Sequence, residues 1–205
     1  MGFDEFRGDF DQDGPEQRRR LQAFGVYLLE VIRVVVIALA IIIPIRYFLV
    51  QPFYVKGASM EPNFEDHEYL VIDEVRYRLR DPERGDIVVF RYPFDPGQFF
   101  IKRVIGLPGE RVEIGGGAVR VSNAEHPNGF QLVEPYLASG VETPGQRMVA
   151  LGVDEYFVLG DNRTQSFDSK DFGPIKRRAI IGRAWLRGWP VKKFGTFEKP
   201  AYVIP

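Results

Sequence analysis

The sequence predicts an all-β domain, mainly antiparallel, preceded by one transmembrane α-helix. Three observations lead there. A long apolar segment lies near the N-terminus. After residue 51, short apolar runs alternate with Gly- and Pro-containing turn signals, and no amphipathic helical period of convincing length follows.

Residues 1–23 begin acidic (Asp4, Glu5, Asp9, Asp11, Asp13, Glu16) and end in the basic run Arg18, Arg19, Arg20, a composition that predicts a flexible tail. Apolar residues dominate 24–50, interrupted by Glu30, Arg33 and Arg46. The unbroken part, Val34 to Ile45, would cover only roughly 18 Å as a helix, short of the ~30 Å hydrocarbon layer. The whole of 24–50 would cover about 40 Å, enough to span if its charges are neutralised or lie near the ends. Glu30 and Arg33 can pair on one helix face, and Arg46 can snorkel to the headgroups. The competing readings are a buried core helix and a cleavable signal peptide. A cleaved signal ends in small residues, which Tyr47-Phe-Leu-Val-Gln-Pro52 lacks, so the segment is expected to be a retained anchor. Arg18 to Arg20 precede it, and Glu61, Glu65, Asp66 and Glu68 follow. The positive-inside rule then puts the N-terminus in the cytoplasm and residues 51–205 outside, in a single-pass protein of the plasma or inner membrane.

Composition excludes several function classes. Lys plus Arg at 27 balance Asp plus Glu at 28, so no polyanion-binding surface and no nucleic acid partner are expected. The absence of cysteine removes disulfides, thiol catalysis and Cys-ligated zinc. With two histidines only, His67 and His126, no metal or other cofactor is expected, and a Ser-His triad would have to use one of them.

The predicted strands are the runs 68–73, 86–91, 99–105, 111–114, 118–121, 155–159 and 179–185, separated by turn residues. Five serines are available as nucleophiles: Ser59, Ser122, Ser139, Ser166 and Ser169. Ser59 lies in Lys56-Gly-Ala-Ser-Met-Glu-Pro62, directly after the anchor. Its small neighbours let a substrate backbone approach the hydroxyl, although a serine in such a segment is more often only a turn residue.

A serine hydroxyl needs a base. Lys102 stands in the run Phe99-Phe-Ile-Lys-Arg-Val-Ile105, where period-two alternation puts Phe100 and Val104 on its own face. At an unperturbed pKa near ~10.4 almost no lysine is neutral at pH 7, whereas desolvation to roughly 7 to 8 makes a tenth or more available. The alternative is an amine held in solvent at a strand edge. A polar loop, 160–173, follows the 155–159 run. Its Ser166 or Asp168 has the chemistry to orient a lysine amine, or the loop simply organises its own backbone.

These segments together resemble type I signal peptidases. The likeness is carried by Gly57-Ala-Ser-Met-Glu-Pro62, Arg84-Gly-Asp-Ile-Val-Val-Phe90, Lys102-Arg-Val-Ile-Gly-Leu-Pro-Gly-Glu110, and Gly160-Asp-Asn-Arg163 through Asp168-Ser-Lys-Asp-Phe-Gly173, in that order behind an anchor. The resemblance implies a catalytic β fold related to that of self-cleaving repressor proteases. It also implies an endopeptidase that removes N-terminal signal peptides from exported preproteins after small residues of the Ala-X-Ala type. Its partners would be those secretory preproteins, the phospholipid membrane and the protein export machinery. By the same resemblance Ser59 is the nucleophile and Lys102 the general base, Ser166 hydrogen-bonds the lysine amine, and Asp168 supports that loop. Phe53, Val55, Met60, Phe64 and Ile101 would line shallow substrate pockets. Gly57 stands where many members carry a hydroxyl that donates to the oxyanion, and Lys170 where many carry Arg. Residues 111–153 match the shared segments least and are expected to be a variable insertion.

Two other readings use the same residues: a self-cleaving repressor, which would carry a helix-turn-helix in place of the anchor, and a catalytically silent membrane-anchored β domain that binds exported chains.

Overall fold

A computed structural model describes residues 15–44, 51–197, 199–200 and 202. The chain divides into two compact units, residues 1–46 and 47–205.

In the first unit, helix α1 runs from Pro15 to Pro44. Proline suits a first helical position, because its φ is preset and its missing N–H has no intrahelical partner there. The helix therefore begins before the predicted residue 24. Glu16, Gln17, Arg18 to Arg20 and Leu21 are good helix formers, and the basic run joins the helix instead of a loose tail. Within it, Gln22–Ile43 is 22 residues long, about 33 Å, and its apolar side chains are exposed along their length. That segment is long and apolar enough to cross a membrane. The predicted continuation over 45–50 lies outside the described residues.

The second unit contains two antiparallel sheets. The larger holds β1 (Gln51–Tyr54), β2 (Tyr69–Asp73), β3 (Ile87–Tyr92), β4 (Asp95–Gly106), β9 (Glu155–Leu159), β10 (Ile175–Lys176), β11 (Ile180–Trp189) and β12 (Gly195–Thr196). Its order is β1-β2-β11-β3-β4-β9-β10, with β12 on β11. The smaller holds β5 (Arg111–Gly115), β6 (Ala118–Ser122), β7 (Phe130–Gln131) and β8 (Arg147–Ala150), in the order β7-β6-β5-β8. The segment expected as an insertion is thus a sheet of its own. Two short helices, α2 (Glu74–Leu79) and α3 (Ser169–Phe172), complete the unit.

The central strand β3 explains the packing. Ile87, Val88, Val89 and Phe90 are all buried, which happens only where both faces of a strand are covered. Ile87 and Val89 face a cluster containing Val55, Met60, Phe64, Leu70 and Ile72. Val88 and Phe90 face the opposite cluster, with Val104, Tyr156, Val158 and Ile175. The smaller sheet contributes Val112, Ile114, Val119 and Val121 to a third cluster, shared with Ile105, Phe157 and Leu159 of β4 and β9. The end of β4 thereby sits among side chains of both sheets.

Candidate active site

Ser59 lies on the turn that follows β1. Gly57 opens that turn at φ +93°, a left-handed conformation suited to glycine. Its N–H donates to Asp66 Oδ1 at 2.9 Å, so it is already engaged. Met60, with no solvent exposure, fixes the turn to the core immediately after Ser59.

Lys102 comes from β4, paired across β3 with Val88. Its Nζ lies 2.7 Å from Ser59 Oγ and 2.9 Å from the Ile101 carbonyl oxygen, to which it donates. The Phe100 ring centroid is 5.5 Å from the amine, and the residue is 4% exposed. Burial pushes the Lys102 amine down to about 8, aided by the Lys170 charge and opposed by Asp168 and Asp161. An amine so placed accepts a serine proton when neutral and donates to the hydroxyl when charged.

The loop after β9 grips the nucleophile turn. The Asn162 N–H donates to the Ser59 carbonyl and Asn162 Nδ2 to the Ala58 carbonyl, both at 3.1 Å. Gly160 is packed so closely that a Cβ there would lie 2.1 Å from Ser166 Oγ and 2.4 Å from the Ser59 carbonyl oxygen. Asp168, fully buried, accepts from the Gly160 N–H at 3.1 Å. It also caps α3 in a reciprocal capping box with Asp171. Lys170 Nζ donates to Asp168 Oδ2 at 2.8 Å, the only side-chain partner of that amine among the described residues.

Three buried ion pairs, two of them made by residues of this loop, escaped the sequence reading. Arg103, next to the lysine, donates through two nitrogens to Asp161 at 2.8 and 2.6 Å. Arg84 Nη2 pairs with Glu110 at 2.6 Å. Arg163 donates to Glu134 Oε2 at 2.7 Å and to Thr143 Oγ1, both from the chain between β7 and β8. The only available signal was that Asp161, Asn162 and Arg163 lie in the same polar run as Ser166 and Asp168.

Phe53, Val55 and Ile101 line a cavity of about 100 Å³ that also includes Val89, Ser59 and Lys102. The other two predicted lining residues do not. Met60 and Phe64 are core residues, at 0% and 1% exposure, with the Phe64 ring 4.5 Å from that of Phe197. The expected bond between Ser166 and the lysine amine is likewise not formed. Ser166 Oγ is buried without a hydrogen-bond partner among the described residues, packed toward Gly160, while the amine is turned to Ser59 and the Ile101 carbonyl.

A serine hydroxyl held against a buried lysine on an antiparallel β domain is the arrangement that serine hydrolysis by a nucleophile and a base requires. The family described as signal peptidase, peptidase S26, matches residues 28–189, and the chain belongs to it. Over 181 residues it is 41% identical to a probable signal peptidase I-2 of Synechocystis sp., covering 84% of this chain and 78% of that one. Over 182 residues it is 37% identical to a signal peptidase I of Leptolyngbya laminosa, covering 84% and 85%. A crystal structure of a signal peptidase I from Enterococcus faecalis aligns with a TM-score of 0.43 at 32% identity, covering 51% of this chain and 97% of the other. The chain is a serine endopeptidase of this family.

Proposed function

We propose that Ser59 and Lys102 form the catalytic dyad of an endopeptidase that removes N-terminal signal peptides from exported preproteins after small residues of the Ala-X-Ala type. The observation that carries this reading is the 2.7 Å contact between Lys102 Nζ and Ser59 Oγ in a buried setting.

In the first step, neutral Lys102 takes the Ser59 proton as Oγ adds to the scissile carbonyl. The ammonium then gives that proton to the leaving amine, which departs as the new N-terminus and leaves an ester on Ser59. Water attacks the ester, again losing its proton to Lys102, which returns it to Ser59 Oγ as the acid is released. The Ser59 N–H makes no hydrogen bond among the described residues and is the main-chain donor available to the oxyanion. Gly57 has no hydroxyl and its N–H is engaged with Asp66, so it supplies no second donor.

The small cavity beside the dyad supports the preference for small residues, since about 100 Å³ walled by Phe53, Val55, Val89 and Ile101 suits a methyl group better than a long side chain. Helix α1 is read as the membrane anchor, with Arg18 to Arg20 on the cytoplasmic side and residues 51–205 extracytoplasmic. The bilayer and the export machinery that delivers preproteins are then the working partners. Anchoring raises the encounter rate, because the substrate is held in the same membrane.

Full-length protein purified in detergent is expected to cleave a preprotein with an Ala-X-Ala site. Ser59→Ala and Lys102→Ala should each lose activity by about 10³-fold or more with folding retained. Full activity in either variant would sink the dyad.

A further inference from the structure

A second cavity, about 790 Å³, shares no lining residue with the one beside the dyad. One wall is Glu61 and Pro62, directly after the nucleophile turn, together with Asn162 and Thr164 of the loop that grips it. The other is the 138–145 segment ahead of β8, including Glu142.

Four ionisable residues line this groove: Glu61, Glu142, Asp161 and Arg163. Arg163 is consumed by Glu134, and Asp161 by Arg103. Glu61 and Glu142 form no ion pair among the described residues, and Glu142 is exposed. Among the described residues the groove therefore has two uncompensated carboxylates and no free cation.

Its distance from the chemistry is bounded by the chain. Glu61 is two residues past Ser59, so the two Cα atoms are within about 7 Å. An extended substrate advances about 3.3 Å per residue and reaches Glu61 by the second or third residue from the scissile bond. The residues before the bond have the apolar cavity that includes Ser59 and Lys102. What remains for the groove that carries Glu61 and Glu142 is the chain on the other side of the cut.

We infer that this groove receives the first residues of the mature chain, and that its free carboxylates favour a lysine or arginine there over an acidic residue. The inference rests on the signal-peptide-cleaving activity proposed above.

The test uses full-length protein in detergent and three substrates with one Ala-X-Ala site, differing only in Lys, Gln or Glu at the third residue after the bond. At low ionic strength, kcat/KM for the Lys substrate is expected to exceed that for the Glu substrate by about five- to tenfold, shrinking as salt screens the pairs. In the double variant Glu61→Gln, Glu142→Gln the ratio should fall close to one. Equal cleavage of all three by the wild-type protein, or a ratio the double variant leaves intact, overturns the groove assignment while the peptidase reading stands. Cleavage of none of the three overturns the peptidase reading and the inference with it.

Discussion

The carbonyl oxygen of Ser59 occupies the space in which a side chain on Gly160 would begin, 2.4 Å from the position of its Cβ. Real Cβ atoms do not tolerate such an approach to a backbone atom, so with any larger residue at 160 the contact between this loop and the nucleophile turn must shift.

Gly160→Ala is accordingly expected to lower kcat by about 10²-fold, the scale associated with an ångström of misplacement at a reacting group. KM should change much less, because the small cavity keeps its walls. Steady-state kinetics on a preprotein substrate separates the two; an unchanged kcat would contradict the packing.

The buried amine sets the pH dependence. Lys102 must be neutral to take a proton, and burial pushes it down to about 8. Activity should rise with pH, half-maximal at about 8 and level above, with about a tenth of the plateau at pH 7. A pH–kcat/KM profile checks this. A rise delayed to pH 10 would mean that the amine is solvated.

The same burial makes Lys102 a cost to folding. Its folded value lies below the unfolded one, so below about pH 8 the unfolded chain binds the proton more tightly and stability is lost; it is recovered as pH rises toward the value of a free lysine. Lys102→Met, which keeps the length and removes the charge, should abolish activity yet raise unfolding free energy at pH 7 by on the order of 2 kcal/mol. The gain should vanish near pH 10.5. Denaturant titration at the two pH values decides it, and a variant less stable at pH 7 would contradict the linkage.

Asp161 has the opposite character. Removing its carboxylate leaves the Arg103 guanidinium, 3% exposed, with the Gly85 carbonyl and the Tyr136 ring as neighbours but no ion-pair partner among the described residues. Asp161→Ala should destabilise the domain by about 3–5 kcal/mol, the usual cost of breaking a buried pair. A loss below about 1 kcal/mol in urea unfolding would show the pair to be relaxed by water.

What the sequence could reveal tracks how local each feature is. The central strand β3 was legible because four consecutive buried residues make an apolar run whatever their neighbours. Strand β8 was not: Arg147, Met148 and Ala150 are exposed and only Val149 is partly buried, so no alternation marks it. Ser59 and Lys102 stood out as candidates because a nucleophile needs small neighbours and a base needs apolar ones, and it was the resemblance to type I signal peptidases that paired them. Met60 and Phe64 were misassigned because an apolar side chain reads alike whether it lines a cavity or fills the core beneath. The grip of Asn162 on Ala58 and Ser59 spans about a hundred positions, and no local pattern encodes a partner that far away.

The Arg163–Glu134 pair ties the connection between β7 and β8 of the smaller sheet to the loop that holds Ser59. Glu134 and Thr143 hold Arg163 from one side, and Asn162, the next residue along the chain, holds the Ser59 carbonyl on the other. One guanidinium and one peptide link thus separate the β7–β8 connection from the backbone that carries Ser59. The accessory sheet works as a buttress: its outer surface is free to change, but a crack at Glu134 would be felt at Ser59.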